Sequence, residues 1–168
     1  NAITNLAQQL GQAKMDIVQI AHGDLPVKSS CEQDLRLAQA MLQINGVSPA
    51  LFAEAFAMQL AKQEQGTLAV IGSVAGDRGR KANYVYGSAK GLVERYVQGL
   101  QHRFAFSGIK IVLIKPGPTA TPMTAHLPAT GLASVDSVAR TIVKAIQAGR
   151  PEVYVPAKWW LIMRVVQH

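Results

Sequence analysis

The stretch Gly66-Thr67-Leu68-Ala69-Val70-Ile71-Gly72-Ser73 encloses a short apolar run between two glycines and ends on a serine. A run of this kind predicts a buried strand followed by a turn. Similar runs at residues 16–21 and 109–114 predict two more buried strands, and residues 152–155 predict a short final one. Helical patterns separate the strands, which predicts right-handed βαβ units and a parallel sheet. We therefore expect a single α/β domain.

The segments between these strands carry apolar residues at helical spacing. Residues 84–104 predict the longest helix, and residues 3–15, 31–43 and 135–148 predict three others. A further helix is expected to start with Ser48 as its N-cap and Pro49 at its first helical position, and to end at Gly66. Residues 116–132 predict a loop, and residues 159–166 predict an apolar, aromatic helix or arm.

The composition is that of a globular protein. The chain has 168 residues, of which 49% are apolar, enough for one domain with a core. A single cysteine, Cys31, rules out an internal disulfide and fits a reducing compartment, so we expect a cytoplasmic protein. Neither a membrane-spanning run nor a signal peptide is apparent in the sequence.

The net charge of +7 raises the question of anionic partners. Lysines and arginines are scattered, however, and concentrate only at residues 77–81, Asp-Arg-Gly-Arg-Lys. A basic enzyme that handles anionic cofactors is the better interpretation, and we predict no nucleic-acid partner.

Several polar residues lie at the carboxyl ends of the predicted strands, where the ligand sites of open parallel sheets are found. Ser73 follows one predicted strand and Pro116-Gly117 follows another. Tyr86 and Lys90 lie four residues apart near the start of the long helix, so they share one face.

These groups suit acid/base chemistry. A free tyrosine hydroxyl is too weak an acid to move protons at neutral pH, but a nearby ammonium favours the phenolate and lowers its pKa. A serine hydroxyl at the same point can hold a carbonyl oxygen. Since neither a nucleophile nor a metal site is obvious, Ser73, Tyr86 and Lys90 fit a ketone–alcohol interconversion with a hydride carrier. Taken singly, the tyrosine and lysine could be a surface helix pair and the serine a turn residue.

The combined pattern resembles the short-chain dehydrogenase/reductase family. Residues 66–76 resemble the family's fifth strand and serine segment. Tyr86-Gly87-Ser88-Ala89-Lys90 resembles its Tyr-x-x-x-Lys motif, at the same distance from the serine. Lys115-Pro116-Gly117-Pro118-Thr119-Ala120-Thr121 resembles its Pro-Gly motif with a downstream threonine. The resemblance covers about residues 16–155 and implies a Rossmann-like, doubly wound parallel sheet.

The resemblance also implies a role for each matching residue. Tyr86 would be the general acid in reduction, Ser73 would bind the substrate carbonyl, and Lys90 would tune Tyr86 and hold the nicotinamide ribose. Asn45 would position a water in the proton relay. The residues implied to lie at the cofactor, NADP or NAD, are Gly23, Tyr86, Lys90, Pro116, Gly117, Thr119 and Thr121. No metal ligand is implied.

Pro49 adds a local argument for Asn45. Proline has no N–H, so it cannot bond to the carbonyl of Asn45 four residues earlier. If the segment is helical, that carbonyl is left free to hold a water. The alternative is that Asn45-Gly46 is only a turn.

The sequence departs from the family at its start. The Gly-x-x-x-Gly-x-Gly turn that receives the cofactor pyrophosphate is not found, and residues 20–23 keep only the final glycine of the usual Asn-Asn-Ala-Gly. We therefore interpret residues 1–168 as the C-terminal catalytic portion of one such domain, without its N-terminal βαβ part, and expect a longer native protein. The strand at residues 16–21 would then expose an unpaired edge, and this piece should bind nucleotide poorly.

Several features leave alternatives open. His22 either faces the cofactor cleft or is a packed turn residue. Residues 118–132 form either a lid over substrate or a plain connector. Residues 76–87 resemble the family's ketoreductases of polyprenyl-phosphoryl ribose epimerisation, which implies a lipid-linked or phosphorylated substrate. The apolar residues from Trp159 to Val166 either touch a membrane, which would make the protein peripheral to it, or pack in the core or against another subunit.

The leading function is therefore the reversible reduction of a small-molecule carbonyl with NAD(P)(H). The main alternative is a catalytically silent member of the fold that serves as a binding or assembly module. The resemblance further implies a homodimer or homotetramer formed through the helices at residues 48–65 and 84–104.

Overall fold

The apolar runs of the sequence form four parallel strands in the computed structural model, which describes residues 1–25 and 28–167. The strands are β1 (Ile17–Ile20), β2 (Gln65–Ile71), β3 (Gly108–Pro116) and β4 (Glu152–Val155). They lie side by side in chain order, with Ile71 opposite Ile114 and Pro116 opposite Val155. Their carboxyl ends therefore meet at one edge of the sheet, as predicted.

Seven α-helices connect and flank the strands in the described part of the chain. They are α1 (Ala2–Leu10), α2 (Lys28–Gln33), α3 (Leu35–Leu42), α4 (Ser48–Gln63), α5 (Tyr84–Arg103), α6 (Val135–Ala148) and α7 (Lys158–Gln167). A π-helical segment, Gln43–Val47, joins α3 to α4, and short 3-10 turns form at Val74–Gly76 and Pro122–Thr124. None of these helices is both long and apolar enough to cross a membrane.

Side chains of the central strands alternate between two apolar layers. Leu68 and Val70 are fully buried against residues of α4 and α5, whereas Ala69 between them faces a second cluster with Val138 and Ile146 of α6. Burying a leucine or valine stabilises a fold by about 1.5–3 kcal/mol, so both faces must be covered. This three-layer arrangement confirms the doubly wound α/β fold.

Strand β1 lies at the edge of the sheet and pairs only with β2. The predicted exposed edge is therefore present. The prediction of a buried strand was wrong, because Ile17 is 53% exposed and only Ile20 is buried. Val18 and Ile20 pack in the core whereas Ile17 is exposed, so β1 is half-covered.

Helix boundaries differ from the prediction in the first third of the chain. Helix α1 stops at Leu10 because Gly11 caps it, and the helix expected at residues 31–43 is broken at Asp34. The Asp34 carboxylate accepts hydrogen bonds from the N–H groups of Arg36 and Leu37 and so starts a new helix. The helical structure that precedes this break begins at Lys28, and Pro26 and Val27 lie outside the described residues.

Both predicted ends of α4 were also wrong. Ser48 has helical dihedral angles, φ −59° and ψ −52°, because the chain enters α4 from the π-helical segment without a break. At the other end the helix stops at Gln63 and Glu64 caps it in the left-handed conformation with φ 59°, whereas Gly66, which also has a positive φ, already belongs to β2. The remaining elements follow the prediction, and residues 159–166 form a helix.

The left-handed conformation of Glu64 generates a stability prediction. A residue with a Cβ is strained there by about 1–2 kcal/mol, and glycine is not, although glycine costs more chain entropy. Glu64→Gly should raise the free energy of unfolding by about 0.5–1 kcal/mol, measured by urea denaturation of the full-length protein. Glu64→Ala, which removes the same carboxylate but keeps a Cβ, is the control and should give little gain. Equal stability of the two variants would contradict the prediction.

Candidate active site

Close packing of α5 against the turn that follows β2 brings the candidate site together. A Cβ on Gly87 would lie 2.8 Å from the carbonyl oxygen of Ala75, and one on Gly76 would lie 2.9 Å from the backbone of Lys90. Neither contact is tolerable, so glycine is needed at both positions. The first turns of α5 therefore sit directly on the Val74–Gly76 turn.

Ser73 and Tyr86 meet across this contact. Ser73 has an extended backbone and caps the 3-10 turn, with its Oγ accepting a hydrogen bond of 3.1 Å from Ala75 N–H. The Ser73 side chain also lies close enough to the Tyr86 hydroxyl to lower its pKa by hydrogen bonding. The structure thus joins the two groups that the sequence placed thirteen residues apart.

Burial governs the acidity of Tyr86. Loss of water around the ring raises the pKa of the hydroxyl, and the Ser73 hydrogen bond only partly offsets this. The sequence predicts a lowered pKa from the nearby lysine. That prediction was wrong, because desolvation raises the pKa of the hydroxyl, and Tyr86 therefore carries its proton at neutral pH.

Lys90 lies beneath Tyr86 on the same face of α5. Its Nζ is 5.8 Å from the centroid of the Tyr86 ring, and the residue is only 4% exposed. Nζ donates a 3.1 Å hydrogen bond to the carbonyl of Ile71, at the end of β2. Burial lowers the pKa of Lys90 to about 8, because a desolvated ammonium is disfavoured.

Asn45 is fully buried in the π-helical segment and anchors the loop after β1. Its Nδ2 donates to the carbonyl of Met41 at 3.0 Å, and its Oδ1 accepts from Asp24 N–H at 2.8 Å. A Cβ on Gly23 would lie 2.8 Å from Asn45 Oδ1 and 3.5 Å from Lys90 Nζ. Gly23, Asn45 and Lys90 therefore form one group.

The π-helical segment has a cause in the sequence. Pro49 offers no N–H to the carbonyl of Asn45, so the ordinary helical bond cannot form there. The helix widens instead, and Ser48 N–H bonds to the carbonyl of Gln43, five residues back. Widened turns of this kind are frequent at functional sites. Helical structure at Asn45-Gly46 excludes the simple turn.

His22 follows β1 and contacts α4. Its Nε2 lies 2.9 Å from Ser48 Oγ, and its ring meets Phe52 edge-on at 5.3 Å between centroids. Partial burial lowers the pKa of His22, and the Lys90 charge lowers it further. His22 is thus packed against α4 and is also close enough to Lys90 for the lysine charge to lower its pKa.

The Pro-Gly segment forms a tight, internally bonded turn. Gly117 N–H donates to the carbonyl of Val155 at 2.9 Å, and Thr119 Oγ1 donates to the carbonyl of Gly117 at 3.0 Å. Thr121 N–H lies 3.2 Å from Thr124 Oγ1. The predicted loop at residues 116–132 then folds back, with Thr119 bridged to Ala133. The hydrogen bonds of Thr119 and Thr121 given above are thus made within the loop and not to Ser73, Tyr86 or Lys90.

Two features near this turn were missed by the sequence analysis. The first is Trp159 of α7, whose indole lies so close to Gly117 that a Cβ on the glycine would overlap it. Helix α7 is held there by Arg78, which donates to the carbonyl of Val166, and by Arg80, which lies 3.4 Å from Met163 Sδ. Both arginines of the basic run at residues 77–81 thus contact α7.

The second feature is a buried ionic cluster around Lys115, the last residue before Pro116. Lys115 is 1% exposed. Its Nζ pairs with Asp77, lies 3.2 Å from Glu94 and 2.9 Å from Glu152, and donates to the Tyr154 hydroxyl at 2.9 Å. A lysine at the end of an apolar strand was the available signal, since a buried ammonium requires acidic partners. The partners themselves lie on other elements and carry no common spacing.

Comparison with known proteins places the chain in a family. The sequence model of the short chain dehydrogenase family matches residues 1–131. An uncharacterized oxidoreductase of Streptomyces coelicolor is 32% identical over 108 residues, which are 64% of this chain and 43% of that protein. An uncharacterized oxidoreductase of Mycobacterium tuberculosis is 30% identical over 138 residues, 82% of this chain and 55% of that protein. The chain spans about half the length of these relatives.

A solved structure shows the same fold. The short chain dehydrogenase from Burkholderia cenocepacia in complex with NADP superimposes with a TM-score of 0.84 at 19% identity. The match covers 96% of this chain and 67% of the other. It confirms the Rossmann-like sheet predicted from the sequence.

The buried Lys90 generates a prediction on stability and pH. Its pKa is about 8 in the folded chain and 10.5 when the chain unfolds, so the unfolded state binds more protons between these values. The free energy of unfolding should therefore rise with pH across this window, by up to about 3 kcal/mol relative to a Lys90→Met variant. Below pH 8 the difference between the two proteins should be constant. Urea denaturation at several pH values measures it, and parallel pH curves for the two proteins would contradict it.

Proposed function

Since the chain belongs to the short-chain dehydrogenase family, we propose that it carries the proton-transfer part of an oxidoreductase that interconverts a carbonyl and a secondary alcohol with NAD(P)(H). The observation that carries this proposal is the placement of Tyr86 beside Ser73 and 5.8 Å, measured from its ring centroid, from the Nζ of a buried Lys90. A proton donor, a second hydrogen-bonding hydroxyl and a cation thus lie together at the carboxyl edge of the sheet.

Each group has a defined task in the reduction. Tyr86 is the general acid and passes its proton to the carbonyl oxygen of the substrate, while Ser73 Oγ hydrogen-bonds the same oxygen. Burial makes the resulting phenolate costly, which keeps Tyr86 protonated until a substrate arrives. The Lys90 ammonium, 5.8 Å from the ring, stabilises the phenolate as it forms.

The residues around Lys90 fit a nicotinamide cofactor. The Lys90 ammonium has three N–H donors, and the bond to Ile71 uses one of them, which leaves donors for ribose hydroxyls. Gly23 keeps the adjacent space clear of a side chain. Bound there, the cofactor supplies the hydride. Pro116, Gly117, Thr119 and Thr121 are the further residues that we assign to its neighbourhood, and Asn45 to the proton relay behind Lys90.

We assign the residues that bind the cofactor phosphates to a part of the protein outside this sequence. Within residues 1–168 no glycine-rich turn of the dinucleotide type is found. The choice between NADP and NAD depends on that part. We therefore propose that residues 1–168 are the C-terminal catalytic portion of one domain in a longer protein. The piece alone should bind nucleotide weakly.

The partners are proposed from exposed apolar surfaces. Helices α4 and α5 expose Leu51, Met58 and Leu92, which suits a homodimer or homotetramer. Helix α7 exposes Trp160 and Val165, which suits contact with a membrane by an otherwise cytoplasmic protein, and with it a lipid-linked or phosphorylated substrate.

Substitution of Tyr86 tests the proposed function. In the full-length protein, Tyr86→Phe should lower NAD(P)H-dependent reduction of a panel of ketones by at least about 10²–10³-fold, because the general acid is lost. Turnover is followed by the absorbance of the reduced nicotinamide. Tyr84→Phe is the matched control, since Tyr84 is exposed on the first turn of the same helix, and it should retain full activity. Undiminished activity in Tyr86→Phe, or a wild-type protein that is inert towards the whole panel, would favour a silent binding module.

A further inference from the structure

We propose that Lys115 is a positioning residue for the acid/base pair, an inference that rests on the proposed function. One buried ammonium ties together the three segments that carry the assigned residues. It pairs with Asp77 in the turn after Ser73 and with Glu94 on helix α5, and it directly precedes Pro116.

The tie to the Ser73 turn runs through Asp77. Gly76 N–H bonds to the carbonyl of Ser73 at 3.0 Å, and Asp77 N–H bonds to that of Val74 at 3.4 Å. The Asp77 side chain is fully buried against Lys115. Fixing Asp77 therefore fixes the short turn whose first residue is Ser73.

The tie to α5 runs through Glu94. Glu94 lies one helical turn beyond Lys90 and two beyond Tyr86, so it shares their face of the helix. Its carboxylate is 3.2 Å from Lys115 Nζ and also accepts a hydrogen bond from Gln98. This contact sets how far α5 slides or rotates over the turn, and hence where Tyr86 meets Ser73.

On the outer side, the cluster is closed by β4. Glu152 and the Tyr154 hydroxyl each lie 2.9 Å from Lys115 Nζ, and the ammonium is 4.6 Å from the Tyr154 ring centroid. One ammonium thus faces three carboxylates and a phenol on three elements. Packing alone does not require this arrangement, since apolar residues of similar volume commonly replace buried ion pairs without loss of stability. What the ions add is a fixed distance between the elements.

The charge of Lys115 is constant across the working pH range. Burial lowers the pKa of its ammonium, but the hydrogen bonds with Asp77, Tyr154 and Glu152 and the charge of Glu94 outweigh this, so the pKa is raised. Lys90, by contrast, titrates near pH 8. Lys115 therefore keeps its charge while Lys90 gains or loses a proton.

A neutralised cluster tests this role in the full-length protein. Lys115→Met alone would leave buried carboxylates unpaired and could unfold the chain. We therefore combine it with Asp77→Asn and Glu94→Gln, which keep side-chain shape. The expected result is a kcat at least tenfold lower per folded molecule, with the KM of the cofactor changed less than about threefold, because a displaced Tyr86 slows the chemistry more than it weakens binding. Amide hydrogen exchange in the Val74–Gly76 turn should also become faster.

Two further variants make the result decisive. Lys110→Met, at an exposed lysine on the same strand, is the control and should keep wild-type kcat and exchange. Asp77→Asn alone removes one carboxylate from a cluster that has an excess of them, so it should fold even if the triple variant does not, and it should lower kcat at least threefold with faster exchange in the turn.

The outcomes separate the two proposals. A folded triple variant, or failing that a folded Asp77→Asn variant, with kcat within twofold of wild type and unchanged exchange would overturn the positioning role. If Tyr86→Phe is inactive in the same assay, the proposed function survives that result. If Tyr86→Phe is fully active, the proposed function fails, and the exchange data still report whether Lys115 holds the turn.

Discussion

The contact between helix α5 and the turn after β2 is the constraint on which the rest of the site depends. Gly76 and Gly87 allow the two backbones to touch, and side chains larger than hydrogen at these positions would force them apart. This contact places the Tyr86 hydroxyl on Ser73 and Lys90 under the end of β2. The sheet supplies the platform, because parallel strands deliver their loops to one edge. The relative positions of the Tyr86, Ser73 and Lys90 side chains thus depend on the close approach of these two backbones.

Much of the fold was predictable because its signals are local. A short apolar run between turn residues identifies a strand, although not always a buried one, and the spacing of Tyr86 and Lys90 places them on one helical face. Helix boundaries around α4 were not predictable from such signals. Pro49 and Ser48 are typical of a helix start, yet the chain stays helical through them, with one widened turn directly before Ser48. At the far end the helix is capped by Glu64 in a left-handed conformation, although glycine is the usual residue at such a cap.

The Lys115 cluster shows why the remainder of the site escaped the sequence. Its members come from four elements and are brought together only by the order of the strands, so no spacing links Asp77 to Glu152. Lys115 could be flagged as anomalous in an apolar strand, but its partners could not be named. The same holds for Trp159, which reaches Gly117 only because α7 folds back across the end of the sheet. Long-range electrostatic and steric contacts of this kind become visible only when the register of the sheet is known.

The π-helical segment at Gln43–Val47 has a consequence for how this protein can vary in length. A π turn holds one residue more than an α turn, so it behaves as a one-residue insertion absorbed within a continuous helix. Each residue in a helix turns the chain by about 100°. Because the wide turn absorbs the rotation of its extra residue, deleting one residue here would restore a regular helix and leave Phe56 and Leu60 facing the core that they fill. The deletion would change the turn itself, and with it the position of the buried Asn45, so the extra residue serves the candidate site rather than the core.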